Sequence, residues 1–281
     1  MRLVSHTTEL GPRAALLKDG RAYDVWGDAF SHGRSDDRTV DAILRGGLLD
    51  RVEAIEEEGL AVDELELLPP IARPGKIICI GQNYQSHAEE QGMEAPETPT
   101  FFAKFANALR PPGASVLLPG FSKRVDYEAE VAFVVKDRCK DVPEEEALDH
   151  LAGYMLFNDL SARDYQFKTP QWMPGKVFDG SAPCGPALVT PDEAGAHDAI
   201  EVRLELNGEV MQEDSTASLV HPVPALVAYL SKLMTLDPGD VVATGTPAGV
   251  GSLRDPKVWL LAGDEVRISS PQLGVLETRM E

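Results

Sequence analysis

Apolar and polar positions along the chain follow two different periods. Runs about four to eight residues long, rich in β-branched and aromatic side chains and bounded by Gly, Pro, Asn or Asp, predict strands. Lys76–Ile80, Thr98–Phe105, Val131–Val135, Leu151–Phe157, Ala187–Val189, Ile200–Leu206 and Gly239–Thr244 are such runs. Asp19-Gly20 between Ala14–Lys18 and Arg21–Val25 predicts a hairpin, and so does Asn207-Gly208. A last hairpin begins at Gly263–Ile268 and closes with Val275–Met280. Helical spacing marks Thr39–Arg45, Leu48–Glu58 and Pro224–Met234, the last with Leu226, Val227, Leu230, Leu233 and Met234 as core. Pro143 suits the first position of an acidic helix start at Val142–Glu146. Many short strands, Pro/Gly turns and few helices predict a mixed, β-rich α+β fold. Leu67-Leu68-Pro69-Pro70 followed by Arg73-Pro74-Gly75 reads as a linker. Residues 1–70 are therefore expected to form a small N-terminal α+β domain, and residues 71–281 the larger domain.

One predicted strand carries charge at its buried start. In Val125–Val135, V-D-Y-E-A-E-V-A-F-V-V, alternation puts Glu128 and Glu130 on one face and Tyr127, Ala129 and Val131 on the other. Neighbouring carboxylates repel and are costly to bury unpaired, so a cation is expected between them. A hard divalent ion is the simplest choice. An edge strand with a solvated acidic face is the competing reading of an isolated E-x-E. Asp159 leaves the apolar run Leu151–Phe157 and is a third candidate ligand, or else the N-cap of a short helix. Asp164 reads as a surface or Arg-paired residue. His87 and Glu90 are three apart, which on a helix places them on one face as a proton-transferring dyad or as a surface pair. Pro170, Pro174, Gly175 and Gly180 exclude a long helix around Gln166, Lys168 and Lys176, leaving a polar loop of the kind that often carries function. Gly245–Gly251 is a Gly-rich turn without the Gly-Lys-Ser/Thr ending of a phosphate loop, but its backbone N–H groups can hold a carboxylate. No constellation precedes residue 70, and His6 and His32 are expected at the surface.

Charge narrows the choice of ligand. A formal net charge of −20 argues against nucleic acid, though a few Lys and Arg can reverse the field locally for a small anion. No apolar stretch is long enough to span a bilayer, and the N-terminus lacks a signal-like apolar region, so a cytoplasmic location is expected. The 3 cysteines, Cys79, Cys139 and Cys184, lack zinc or disulfide spacing.

Taken together, G-Q-N-Y-x-x-H-x-x-E, D-Y-E-A-E-V-A, N-D-L-S-A-R-D-x-Q, P-G-K-x-F-D and G-T-P-A-G-V-G resemble the fumarylacetoacetate hydrolase family, in the family's order over about residues 74–269. The resemblance implies a mixed β-sandwich roll, a homodimer and a Mg2+ or Mn2+ site. Carried over by position, Glu128, Glu130 and Asp159 look like the metal carboxylates, and His87 with Glu90 like the water-activating dyad. Lys176 matches the lysine beside the reacting carbonyl, Arg163 and Gln166 fall at substrate contacts, and Thr246 matches a threonine that holds a substrate carboxylate. The implied reaction is cleavage of the C–C bond of an acylpyruvate or related 2,4-dioxo acid through a metal-bound enolate. Decarboxylation of oxaloacetate, or isomerisation or hydration of a 2-oxo-dienoate, uses the same site. A non-catalytic oxo-acid-binding protein is the more distant alternative. The segment from Pro170 to Pro186 is more hydrophobic than the simplest acylpyruvate hydrolases require, which bears on substrate size.

Overall fold

The computed structural model describes residues 1–26, 38–53, 59–90 and 92–281. Among these, the predicted β-rich α+β class is the observed one. A 12-stranded mixed sheet, a four-stranded antiparallel sheet and a two-stranded ribbon carry the chain, with few helices between them.

The centre of the large sheet is Ala129–Val135. It pairs antiparallel with Leu151–Asn158 on one side and Val241–Ala243 on the other. Beyond Val241–Ala243 lie Ile77–Gly81, in parallel, and then Thr100–Lys104. Beyond Leu151–Asn158 lies Ala182–Val189, and Arg2–Thr8 pairs with that strand, so the first hairpin joins the same sheet.

All seven residues of Ala129–Val135 are buried, because hydrophobic clusters cover both faces. Ala129, Val131, Phe133 and Val135 enter one cluster, Ala132 and Val134 the other. Period two therefore holds, and Glu130 shares its face with Ala132 and Val134.

The Asp19-Gly20 hairpin forms with both residues at positive φ, as does the one at Asn207-Gly208. The core helix spans Val223–Leu233. Of the Leu48–Glu58 expectation, the described residues 48–53 hold a single 3-10 turn, Leu49–Arg51; residues 54–58 lie outside the described residues, as does His32. His6 is a correction: it is buried, because Arg2–Thr8 is flanked by the 11–18 strand on one edge and by Leu67–Leu68 and Ala182–Val189 on the other. Asp159 is not a helix cap. The short helix Arg163–Gln166 starts from Ala162 without a side-chain bond.

Candidate active site

Strand register brings the acidic residues together. Ala129 lies opposite Asn158, so the residue following that strand, Asp159, meets the residue preceding Ala129, Glu128. Asp159 N donates to Glu128 O (3.0 Å), and Glu128 N to Asn158 Oδ1 (3.2 Å). One oxygen each from Glu128, Glu130 and Asp159 lies within 4.8 Å of the other two, and all three residues are buried.

Three buried cations surround this trio. Lys176, just after the 3-10 turn Met173–Gly175, donates to Glu128 Oε2 and Asp159 Oδ2, each at 2.7 Å. Lys104 Nζ donates to Asp159 Oδ1 at 2.6 Å and to Leu160 O at 3.3 Å. Arg163 bridges Asp126 Oδ2 through Nε (2.8 Å) and Glu128 Oε1 through Nη1 (2.7 Å), and that same nitrogen donates to Gln166 Oε1 (2.9 Å). Asp164 is not Arg-paired among the described residues; its Oδ1 accepts from Ser122 Oγ at 2.6 Å.

The carboxylates are compensated unequally. Burial acts to raise the Glu128 carboxyl, but Lys176 and Arg163 outweigh it and hold the group at about 2. Glu130 has no ion pair among the described residues, only a hydrogen bond from Gly245 N (3.0 Å). Burial, and after it the charges of Asp159 and Glu128, push its carboxyl well above the usual range. With Asp126 included, four buried carboxylates face three cations. A buried carboxylate short of one positive charge, within an all-oxygen donor set, fits a hard divalent cation such as Mg2+ or Mn2+.

His87 reaches the site from the short helix Gln85–Glu90, which follows the exit of Ile77–Gly81. Asn83 fixes that exit by donating to Thr244 O (2.9 Å) and accepting from His221 N (2.8 Å). His87 Nδ1 faces Glu90 Oε2 at 3.2 Å, and Glu90 Oε1 accepts from Gly249 N at 3.0 Å. Gly249 stands at φ +104, and an added Cβ there would lie 2.0 Å from Met211 O, so only glycine delivers that N–H.

The Gly-rich turn does hold carboxylates, and they are the chain's own. Gly245 N binds Glu130, Gly249 N binds Glu90, and Gly251 N and Ser252 N bind Asp126 at 2.8 and 3.0 Å. Thr246 Oγ1 donates to Ala129 O (2.9 Å) and accepts from Gln212 Nε2 (2.8 Å), tying the turn to the central strand.

A cavity of about 770 Å3 opens onto this centre, and Glu128, Glu130, His87, Lys176, Arg163 and Gln166 line it together with Thr246. Asp159 joins through the trio and Glu90 through His87, so the structure gathers all nine predicted residues. Lys104, Asp126 and Gln212 were not anticipated. A signal existed for Lys104: a lysine closing the apolar run T-F-F-A-K-F needs a buried anion. The cavity also has an aromatic wall. Trp172 packs edge-on to Phe102 with ring centroids 5.9 Å apart, and a Cβ on Gly81 would come within 2.3 Å of Trp172.

Such a fold and site define a β-rich enzyme with an acidic centre suited to a divalent metal and a cavity suited to a small molecule. Comparison with known proteins carries this further. The fumarylacetoacetate (FAA) hydrolase C-terminal family model matches residues 76–281, and the chain belongs to the fumarylacetoacetate hydrolase family. The oxaloacetate tautomerase fahd2 of Xenopus laevis is 45% identical over 219 residues, 77% of this chain and 69% of that protein. The human oxaloacetate tautomerase FAHD2A is 41% identical over 215 residues, 76% of this chain and 68% of that protein. Both relatives are named as mitochondrial, in contrast to the cytoplasmic location expected from this sequence. No described helix is long and apolar enough to cross a membrane. Among solved structures, fumarylacetoacetate hydrolase from Exiguobacterium antarcticum has a TM-score of 0.85 at 30% identity, covering 100% of this chain and 99% of that one. The 5-carboxymethyl-2-hydroxymuconate delta-isomerase of Mycobacterium smegmatis has a TM-score of 0.80 at 33% identity, covering 100% and 98%.

Proposed function

We propose that this chain is a divalent-metal-dependent enzyme that moves a proton on an enolisable 2-oxo acid, acting as a tautomerase or isomerase of oxaloacetate-like acids. The observation that carries the reading is the meeting, in one cavity, of an undercompensated carboxylate trio with a buried imidazole, His87, that is paired to Glu90. The names of the relatives, oxaloacetate tautomerases and a muconate isomerase, support it. Glu128, Glu130 and Asp159 would hold Mg2+ or Mn2+, which when bound supplies Lewis-acid polarisation of the 2-oxo oxygen.

In tautomerisation the enol hydroxyl loses a proton and C3 gains one. His87 carries that proton: with Nδ1–H turned to Glu90 the ring accepts at Nε2 and returns the proton at C3. Glu90, held in place by Gly249 N, stabilises the imidazolium in between. The Lys176 ammonium donates to the oxygen on which negative charge develops. Arg163 and Gln166 form the polar wall against which the acid's carboxylate rests, and Thr246, whose hydroxyl is given to Ala129 O, holds the Gly-rich turn beside them. A homodimer belongs to the same reading.

Hydrolysis of an acylpyruvate C–C bond is the second reading, favoured by a cavity far larger than a four-carbon acid needs. There His87 takes a proton from water attacking the distal carbonyl. The C–C bonding pair passes to C3, which is then protonated, giving pyruvate and a carboxylic acid.

The test is a product-resolved screen of enol-oxaloacetate, 2-oxo-dienoates and acylpyruvates with Mg2+, Mn2+ or EDTA. Oxaloacetate ketonisation, lost in EDTA, is the expected result. In the His87→Ala variant that activity falls by about 10²–10⁴-fold, the usual contribution of a positioned acid–base group. Absence of turnover for every acid with either metal would sink both readings.

A further inference from the structure

The peptide between two of the trio's carboxylates is held by side chains where a neighbouring strand would ordinarily hold it. Val241–Ala243 pairs with the central strand as far as Ala132, which lies opposite Ala243. Continuing that register would set Thr246 opposite Ala129, but the chain turns out of the sheet at Gly245, which stands at φ +100. Ala129 N and O are left on the vacated edge, between Glu128 and Glu130. Buried backbone groups of this kind require partners. Ala129 O receives the Thr246 hydroxyl at 2.9 Å, and Ala129 N donates to Gln212 Oε1 at 2.9 Å.

Gln212 reaches in from the opposing four-stranded sheet because its own strand is irregular. Where Glu201–Leu206 pairs with Glu209–Ser215, Leu204 lies opposite Gln212 and Glu205 opposite Val210, so Met211 is an extra residue, a β-bulge. Arg254 fixes the bulge to the Gly-rich turn by donating to Met211 O at 2.6 Å and to Gly249 O at 3.1 Å. Beyond the bulge Gln212 is buried, and both ends of its amide are engaged. Besides accepting from Ala129 N, it donates through Nε2 to Thr246 Oγ1 and to Pro247 O, each at 2.8 Å. One amide therefore joins the strand that bears two carboxylates to the turn whose Gly245 N binds Glu130. Gln212 is not among the residues that line the cavity, so its action passes through Ala129 and Thr246.

We propose that Gln212 is a positioning residue that sets the separation of the Glu128 and Glu130 carboxylates, and with it the size of divalent ion the centre accepts. The inference rests on the reading above that the trio takes such an ion. Residues 128 and 130 are separated by the pleat at Ala129, so any rotation of that peptide moves one carboxylate relative to the other. Mg2+ is small and demands near-octahedral ligands, whereas Ca2+ is larger and tolerates irregular ones. A centre whose spacing is pinned favours the demanding ion, and a loosened one loses that preference.

Calorimetric titration of the chelator-stripped protein with Mg2+ and with Ca2+ reads this spacing without recourse to turnover. In Gln212→Met, which keeps the length and removes the amide, Mg2+ affinity should fall by about 10–100-fold, the usual loss when an outer-shell partner is removed. Ca2+ affinity should change by no more than about threefold, because its ligand geometry is forgiving. Thr246→Val frees Ala129 O but leaves Ala129 N on Gln212, so it should shift the Mg2+/Ca2+ ratio in the same direction by less. A thermal melt in EDTA shows that each variant is folded. If Gln212→Met does not fold, the ratio in Thr246→Val decides, and an unchanged ratio there overturns the inference. Unchanged Mg2+ affinity in Gln212→Met, or an equal loss of both ions, also overturns it, while the divalent-ion reading stands. Binding of neither ion by the wild type overturns both.

Discussion

The two ends of the cavity are built on opposite terms. At the inner end Glu128, Glu130, Asp159, Lys104 and Lys176 are all buried, and every one but Glu130 is held by an opposite charge within 2.7 Å. At the outer end Phe167, Leu253, Arg124 and Lys257 are exposed, and neither of these two cations is paired among the described residues. Buried ionic networks tolerate almost no change, because removing one partner leaves an uncompensated charge in low dielectric. Exposed side chains can change at little cost to the fold. On the proposed reading, the inner end would fix the class of reaction and the outer end would choose among the acids that undergo it.

The largest effect should come from Glu130→Gln. The substitution keeps the shape and removes the one carboxylate of the trio that no lysine or arginine holds among the described residues. Activity should fall to the level of EDTA-treated protein, and calorimetric binding of Mg2+ or Mn2+ should disappear. Stability in EDTA should be unchanged or higher by about 1 kcal/mol, since a poorly compensated buried charge has been neutralised. A drop of several kcal/mol in the EDTA melt would mean that Glu130 is a structural partner and not a ligand.

The second effect contrasts two phenylalanines. Phe133 is fully buried in the central strand, whereas Phe167 is 68% exposed on the cavity wall. Phe133→Ala should cost about 3–5 kcal/mol in a urea titration, from lost burial and the cavity left behind. Phe167→Ala should stay within about 0.5 kcal/mol and act instead on KM. Equal costs would erase the distinction between the two ends.

The same division decides what could be read from the chain. Val131–Val135, the Asp19-Gly20 and Asn207-Gly208 hairpins and the helix at Val223–Leu233 were legible because period and turn chemistry are local. Glu128, Glu130 and Asp159 were legible because acids inside apolar runs need a partner. Lys104 was not recognised as that partner for Asp159: the two are 55 residues apart, and only the strand order brings them to 2.6 Å. Asp126 was read as the start of a strand, and it does sit in the short strand Val125–Asp126. Its carboxylate also gathers Arg163 from the helix Arg163–Gln166, and Gly251 and Ser252 from the 3-10 turn Gly251–Leu253, which the sequence did not reveal. The Gly-rich turn was expected to offer N–H groups to a carboxylate, but which carboxylates it takes depends on tertiary approach. His6 failed for the same reason, since burial of a strand depends on what its sheet packs against.

The smallest effect concerns a cation intermediate between the two ends. Lys76, 29% exposed at the start of the 77–81 strand, reaches Asp240 Oδ2 at 2.6 Å and Asp237 Oδ2 at 3.0 Å. Burial acts to lower its pKa, but the hydrogen bonds and charges of Asp240 and Asp237 prevail and raise it. A lysine raised in the folded state contributes stability that is complete below its unfolded pKa, about 10.4, and that is lost as pH climbs through the higher folded value. Lys76→Met should therefore lower stability by about 1 kcal/mol at pH 7, with the partly exposed pair contributing little and Asp240 keeping its bonds from Lys76 N and Asp237 N. The gap between wild type and variant should stay constant from about pH 6 to 10 and close only above that. Denaturant titrations at intervals of one pH unit would measure it. A gap that closed on the acid side instead would show that the stabilisation does not follow the Lys76 proton.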